Sequence, residues 1–181
     1  MDFESKITSR EISQLLWERE MTLGTAESCT GGRVAEAIIA VPGASKYFKG
    51  GIVSYADEIK ERILGVDRQL IEEKTAVCED VAVAMVKGAC KALNTDYAIA
   101  VTGIAGPAGG TAEIPVGTIW LACGNEDNVA TCQLTEDNGR DKNLSEATHT
   151  ALEMFLEFLK GEEKVSEDDV EPQGEVKWGS N

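Results

Sequence analysis

The sequence is short of basic residues. Its 181 residues include 17 Lys and Arg against 32 Asp and Glu, so the formal net charge is −15 at pH 7. Broad nucleic-acid surfaces depend on clustered Lys and Arg that displace counterions, so this charge argues against nucleic-acid binding. A small anionic ligand held in one local pocket remains compatible with it.

Long apolar runs and metal-ligand clusters are also missing. No stretch of about 18 apolar residues is present, and Asp2 and Glu4 stand where a secretion signal would be basic, so we expect neither a membrane span nor a signal peptide. The five cysteines are widely spaced without a Cys-x-x-Cys pair, and His149 is the single histidine. This pattern predicts no disulfide framework, no zinc site and no metal cofactor, and it is typical of a reducing, cytoplasmic environment.

The composition is that of a folded domain with an acidic extension. Hydrophobic residues make up 43% and charged residues 27%, close to ordinary globular usage. We expect one domain over residues 1–160 and a tail over residues 161–181. Because the tail has seven acidic residues against two lysines, we expect it to be mobile and solvated.

Hydrophobic periodicity predicts alternating strands and helices. The predicted helices are 8–20, opened by a capping box of Thr8 and Glu11, a segment through Val34 and Ile39 that ends before Pro42, 57–64, 79–93 and 141–159. The predicted strands are 21–26, 51–55, 97–101, 116–123 and 129–134, the last two forming an antiparallel hairpin. This order predicts an α/β fold, a three-layer α/β/α sandwich with a mixed, mostly parallel sheet.

Two glycine-rich loops, residues 28–33 and 102–111, each follow a predicted strand. Loops at the carboxyl ends of parallel strands line the binding crevice of an open sheet, so these two would face each other. Their backbone N–H groups suit a phosphate or an oxyanion. Neither loop has the dinucleotide fingerprint or the phosphate-binding loop of ATPases, which disfavours both classes.

Ser28 is a candidate nucleophile because it lies where a strand turns into a helix. From position alone, a helix N-cap is the more frequent role for such a serine. A nucleophile also needs a base. His149 would complete a Ser-His-Asp triad, although it lies in the last predicted helix.

Lys60 is a second candidate base, because it follows a predicted strand and lies in the first turns of a helix. Lysine acts as a base when burial disfavours its charged form. Spacing alone favours the alternative of an exposed lysine paired with Asp57, Glu58 or Glu61. Cys29 offers a third chemistry, a thiolate activated by the helix N-terminus, or else it is a small core residue.

Several motifs resemble the CinA C-terminal-domain family over about residues 7–160. They are Thr25-Ala26-Glu27-Ser28-Cys29-Thr30-Gly31-Gly32, Val41-Pro42-Gly43-Ala44-Ser45, Gly50-Gly51-Ile52-Val53-Ser54-Tyr55, Lys60, Leu64-Gly65-Val66, Val101-Thr102-Gly103-Ile104-Ala105-Gly106-Pro107, Gly109-Gly110 and Pro115-Val116-Gly117-Thr118. The resemblance implies an amidase that converts nicotinamide mononucleotide to nicotinate mononucleotide and ammonia, without a cofactor, in a homodimer.

The same resemblance implies that Ser28 and Lys60 form the catalytic pair. The expected substrate-binding residues are Cys29, Thr30, Gly31, Gly32, Tyr55, Thr102, Gly103, Gly106 and Arg140. Among these, the N–H groups of Gly31, Gly32 or Gly103 would hold an oxyanion, Tyr55 and Thr102 would orient Lys60 or the amide, and Arg140 would bind the phosphate.

Some positions depart from the family pattern. Asn138-Gly139-Arg140 stands where Gly-Asp-Arg is common, Leu144 stands where arginine is common, Ile114 where lysine is and Cys78 where serine is. The departures at Leu144 and Ile114 favour an alternative function, a binding or competence-associated partner module that holds a nucleotide without turning it over. The family also contains chains fused to a molybdopterin-binding-like domain, and we expect no such domain within these 181 residues.

Overall fold

The computed structural model describes residues 3–168 as a five-stranded sheet between two layers of helices. The helices are α1 (Phe3–Glu18), α2 (Arg33–Ile39), α3 (Asp57–Leu64), α4 (Arg68–Lys74), α5 (Glu79–Leu93) and α6 (Arg140–Asp168). The strands are β1 (Leu23–Glu27), β2 (Phe48–Val53), β3 (Tyr97–Gly103), β4 (Ile119–Gly124) and β5 (Val129–Leu134), and a short 3₁₀ helix spans Ala44–Lys46. The predicted three-layer α/β architecture is confirmed.

The sheet is mixed and has the strand order β2-β1-β3-β4-β5. The strand β1 pairs in parallel with both β2 and β3, whereas β3–β4 and β4–β5 pair antiparallel. Four strands therefore run in one direction and β4 runs against them. The carboxyl ends of β1, β2 and β3 meet at one edge of the sheet, which is where the two glycine-rich loops begin.

Two apolar cores hold the three layers together. On one face of the sheet, α1, α2 and α6 bury side chains such as Leu16, Ile38 and Phe155. On the other face, α5 buries Met85 and Val86 next to Leu64 of α3. The buried strands β1 and β3 lie between these cores, and this explains why both are shielded along nearly their whole length.

The helices α1 and α4 differ from the prediction. The first helix begins at Phe3, and Thr8 lies inside it with its hydroxyl donating to the carbonyl of Glu4 at 3.2 Å. Thr8 is therefore not an N-cap, and the capping-box prediction is wrong. The helix α4 was not predicted, because none of its residues is buried and it lacks an apolar stripe.

The helix α6 continues to Asp168, beyond the predicted end near Leu159. Glu162 anchors this extension, since its carboxylate accepts the Tyr97 hydroxyl at 2.6 Å and the Asn125 amide at 3.3 Å. The first residues of the predicted tail are thus helical, and residues 169–181 lie outside the described part. Among residues 3–168, no helix is both long and apolar enough to cross a bilayer.

Candidate active site

A cavity of about 420 Å³ opens at the carboxyl edge of β1, β2 and β3. Both glycine-rich loops line it: Ser28 and Cys29 come from the first loop, and residues 102–106, 108, 109 and 111 come from the second. The expectation that the loops face each other follows from the parallel pairing of β1 with β3 and is met. Residues 75–77, which connect α4 to α5, form another part of the wall.

Ser28 and Lys60 meet at this cavity. The Lys60 ammonium donates to the Ser28 hydroxyl oxygen at 3.2 Å, and Lys60 is only 1% exposed. Ser28 itself is 8% exposed. The lysine is therefore buried and in contact with the hydroxyl, as a serine–lysine pair requires, and not exposed as spacing alone favoured.

Two further oxygens hold the Lys60 side chain in place. Its ammonium donates to the Ser54 carbonyl at 2.9 Å and to one carboxylate oxygen of Asp57 at 3.2 Å. The Ser54 carbonyl is fixed because the Ser54 N–H donates to the Glu27 carbonyl at 2.8 Å, which continues the pairing of β1 with β2. The sheet edge and the first turn of α3 thus aim Lys60 at Ser28.

A buried carboxylate shapes the loop that carries Ser28. Glu27, 1% exposed, accepts the backbone N–H groups of Gly32, Val34 and Ala35 at 3.0, 3.1 and 2.9 Å. The chain closes around this side chain with Gly31 at φ 60° and Gly32 at φ 106°, values that favour glycine. Glu27 satisfies the first N–H groups of α2, so Ser28 is not the N-cap that its position suggested.

The Cys29 thiol is not suited to nucleophilic attack. Burial raises the pKa of Cys29 to about 11, which outweighs the lowering effect of the Cys29 and Thr30 backbone N–H groups. At neutral pH the side chain is a neutral thiol, and the thiolate is the reactive form. The structure therefore favours Ser28 over Cys29.

His149 does not belong to this site. Its ring nitrogens contact the Ser5 hydroxyl at 3.3 Å and the carboxylate of Glu153 at 3.1 Å, where α6 packs on α1. It lines a separate surface depression with Glu4 and Glu153. The Ser-His-Asp alternative is therefore wrong.

Five of the expected binding residues besides Cys29 line the cavity: Tyr55, Thr102, Gly103, Gly106 and Arg140. Arg140, at the start of α6, donates to the Gly106 carbonyl at 2.7 Å. The Thr102 hydroxyl donates to the Ala76 carbonyl at 2.8 Å, so it holds the α4–α5 connection and does not orient Lys60. Gly103 has no room for a side chain, because a Cβ would lie 2.6 Å from the Ile119 Cα.

Thr30, Gly31 and Gly32 are not among the residues that line the cavity. The Gly31 N–H donates to the Ser28 carbonyl at 3.1 Å and the Gly32 N–H to Glu27 at 3.0 Å. Both amides are used within the loop, which corrects the expectation that they hold an oxyanion. The N–H groups of Cys29 and Thr30 lie beside the Cys29 sulfur and donate to no oxygen among residues 3–168.

Sequence reasoning missed two contributors to the site, Glu27 and the segment 75–77, and the signal available for Glu27 was a carboxylate immediately before Ser28. Asp57 was expected as one of three possible partners of Lys60, and the structure confirms that pairing, although Lys60 is buried and not exposed. Thr75 has φ 67° and ψ 167°, a region that almost only glycine adopts. No sequence pattern predicts this backbone conformation at Thr75.

The departures from the family pattern fall in different surroundings. Leu144 is buried in the core beneath α6 and does not line the cavity, whereas Ile114 does line it. Cys78 is the N-cap residue of α5 without a side-chain cap. Within residues 3–168, no three His, Cys, Asp or Glu side chains are grouped as metal ligands.

The protein is thus a three-layer α/β protein with a buried serine–lysine pair at the carboxyl ends of its parallel strands. The sequence model of the CinA C-terminal domain matches residues 5–159, and the chain belongs to this family. A putative competence-damage inducible protein of Halothermothrix orenii is 40% identical over 151 residues, which are 83% of this chain and 37% of that protein. One from Symbiobacterium thermophilum is 55% identical over 111 residues, or 61% of this chain and 26% of that protein.

The curated relatives are longer proteins, and the chain spans between about a quarter and two fifths of their length. Solved structures of matching length share the fold. A competence/damage inducible protein of Agrobacterium tumefaciens has a TM-score of 0.84 and 35% identity, over 88% of this chain and 98% of that one. A CinA superfamily protein of Klebsiella pneumoniae has a TM-score of 0.82 and 29% identity, over 87% and 98%.

Proposed function

We propose that this protein is an amidohydrolase that converts nicotinamide mononucleotide to nicotinate mononucleotide and ammonia. The observation that carries the proposal is the contact of 3.2 Å between the buried Lys60 ammonium and the Ser28 hydroxyl at the cavity. A nucleophile within hydrogen-bond reach of its base is the geometry that covalent acyl transfer needs. The reaction class is hydrolysis of the C–N bond of a linear amide.

The reaction proceeds in two half-reactions. Neutral Lys60 takes the Ser28 proton while the hydroxyl oxygen attacks the carboxamide carbon, and the tetrahedral intermediate expels ammonia, which receives that proton from Lys60. Water then attacks the resulting acyl-serine and gives a proton to Lys60, which passes it to the Ser28 oxygen as the bond from that oxygen to the acyl carbon breaks. The free acid product loses its own proton to solvent. The net change consumes one water and releases ammonia, a carboxylate and one proton, with Ser28 and neutral Lys60 regenerated.

The Cys29 and Thr30 N–H groups are the oxyanion donors in this mechanism. They follow Ser28 directly and donate to no oxygen within residues 3–168. The amide after a nucleophile at a strand-to-helix turn commonly has this role. Each such donor contributes about 3 kcal/mol to stabilising the transition state.

Arg140 binds the phosphate of the substrate. Its guanidinium lines the cavity and uses one nitrogen for the Gly106 carbonyl at 2.7 Å, which leaves other N–H donors for a phosphate. The cavity of about 420 Å³ lies within the usual size of small-molecule sites. Because the protein carries a net charge of −15, the molecule as a whole repels an anion, and the attraction has to come from a local positive group such as this guanidinium.

The test is release of ammonia and nicotinate mononucleotide from nicotinamide mononucleotide near neutral pH. Ser28→Ala is expected to lower kcat at least about a thousandfold, and Ser45→Ala, the same change at an exposed serine outside the cavity, is expected to leave it unchanged. Thermal stabilisation of the wild-type protein by the nucleotide without ammonia release would contradict the proposal and support the binding-module alternative.

A further inference from the structure

Thr102 is a buried threonine near the carboxyl end of β3, beside the candidate active site. It is 1% exposed, and the alternate residues Ala98 and Ala100 are buried in the core that α5 covers. Because side chains alternate along a strand, the Thr102 side chain lies on this same face of the sheet. Its hydroxyl donates there to the Ala76 carbonyl at 2.8 Å.

The acceptor belongs to the segment 75–77, which forms one wall of the cavity. Ala76 and Val77 are half-buried, and neither side chain has a hydrogen-bonding group. The Ala76 carbonyl is already occupied by Thr102. The wall therefore offers a ligand an apolar surface, which suits the flat face of an aromatic ring.

Few contacts hold this wall in position. The preceding helix α4 has no fully buried residue. Thr75 has φ 67° and ψ 167°, an unfavourable conformation that persists only where neighbouring contacts enforce it. Within residues 3–168, the bond from Thr102 to Ala76 is the one hydrogen bond that joins the segment 75–77 to the sheet. The position of the wall thus depends on a single hydroxyl.

We propose that Thr102 is a positioning residue that sets the affinity of the enzyme for its substrate. Its hydrogen bond to Ala76 holds the wall 75–77 against the aromatic ring of the carboxamide substrate. Thr102 acts through Ala76 and Val77, without touching the substrate itself. This inference rests on the amidase function proposed above.

The first test removes the hydroxyl and keeps the shape of the side chain. In Thr102→Val, the KM for nicotinamide mononucleotide is expected to rise about fivefold, because the loss of one hydrogen bond frees the wall. The KM is expected to rise by a larger factor than kcat falls, since the wall contributes to binding. Thr102→Ser retains the hydroxyl and is expected to keep the KM within about twofold of wild type.

The matched control is Thr148→Val. Thr148 is also buried, and its hydroxyl also donates to a backbone carbonyl, that of Leu144 at 2.7 Å. This bond lies within α6, and neither residue lines the cavity. The same chemical change is therefore expected to alter the KM by less than about twofold.

A double variant separates action through the wall from direct contact with the substrate. Val77→Ala removes apolar surface from the wall that Thr102 holds. If Thr102 acts through this surface, Thr102→Val raises the KM by less than about twofold in the Val77→Ala background. If Thr102 touches the substrate, the two increases in KM multiply.

Hydrogen exchange of the free protein is a second readout that needs no substrate. The Val77 N–H donates to the Thr75 hydroxyl oxygen at 3.2 Å, so its exchange reports on the order of the wall. Mass spectrometry is expected to show about fivefold faster exchange at Val77 in Thr102→Val. Exchange at Val77 is expected to match wild type in Thr102→Ser and in Thr148→Val.

The two proposals fail in different ways. If wild type releases no ammonia, the amidase proposal is wrong, and the exchange at Val77 alone decides whether Thr102 holds the wall. Faster exchange in Thr102→Val that Thr102→Ser restores supports the inference. Unchanged exchange in Thr102→Val, a serine variant that behaves like the valine variant, or KM increases that multiply in the double variant would overturn it.

Discussion

Replacement of Glu27 by alanine removes the acceptor that the first turn of α2 surrounds. The carboxylate accepts three N–H groups, from Gly32, Val34 and Ala35, at 2.9 to 3.1 Å, and Glu27 is 1% exposed. A buried donor left without a partner costs about 1–3 kcal/mol. Water can reach the N–H group of Gly32, which is half-buried, so the cost per donor lies toward the low end of this range. For the three donors together, we expect Glu27→Ala to lower the free energy of unfolding by about 3–5 kcal/mol.

Urea denaturation measures this loss, provided that the slope with denaturant is unchanged. Glu27→Gln keeps one acceptor oxygen and is expected to lose about 1–2 kcal/mol. Glu36→Ala, at an exposed position of the same helix, is expected to lose less than about 0.5 kcal/mol. A loss below about 1 kcal/mol in Glu27→Ala would refute the claim that this carboxylate organises the Ser28 loop.

Three further predictions concern residues around the site. Cys29→Ala is expected to retain activity within about threefold, and iodoacetamide at pH 8 to leave Cys29 unlabelled by mass spectrometry, because burial raises its pKa to about 11 and keeps the thiolate scarce. Gly103→Ala is expected to lower the free energy of unfolding by about 1–3 kcal/mol in urea, since its Cβ would lie 2.6 Å from the Ile119 Cα; unchanged stability would contradict this close packing. Thr75→Gly is expected to stabilise the protein by about 1 kcal/mol in the same assay, because relief of a conformation at φ 67° exceeds the entropy cost of glycine, and a loss of stability would show that the threonine is not strained.

Elements with a strong local signal were predictable from the sequence. The broad apolar face of α5 and the run of strand-forming residues in β5 predicted the bounds that the structure shows, Glu79–Leu93 and Val129–Leu134. Gly65 was expected to end α3, and it does so at φ 66°. The strand β4 starts at Ile119, later than expected, because Gly117 and Thr118 form a turn that donates to Ile104 and Pro115.

The candidate site was predictable in outline and not in its contacts. Strand order places Ser28 and the loop after β3 at one edge, and that follows from alternating strands and helices. The burial of Lys60 depends on α3 lying over the sheet edge, and the role of Glu27 depends on a loop that closes around it. Both are tertiary outcomes that local sequence does not encode.

The most direct test of the central claim is whether Ser28 and Lys60 act as one unit. We would measure kcat/KM for nicotinamide mononucleotide in Ser28→Ala, Lys60→Met and the double variant, with folding checked by thermal denaturation. The account predicts that each single variant loses at least about a thousandfold and that the double variant loses no more than the worse single one. Losses that multiply in the double variant, or a single variant that keeps a tenth of the activity or more, would contradict it.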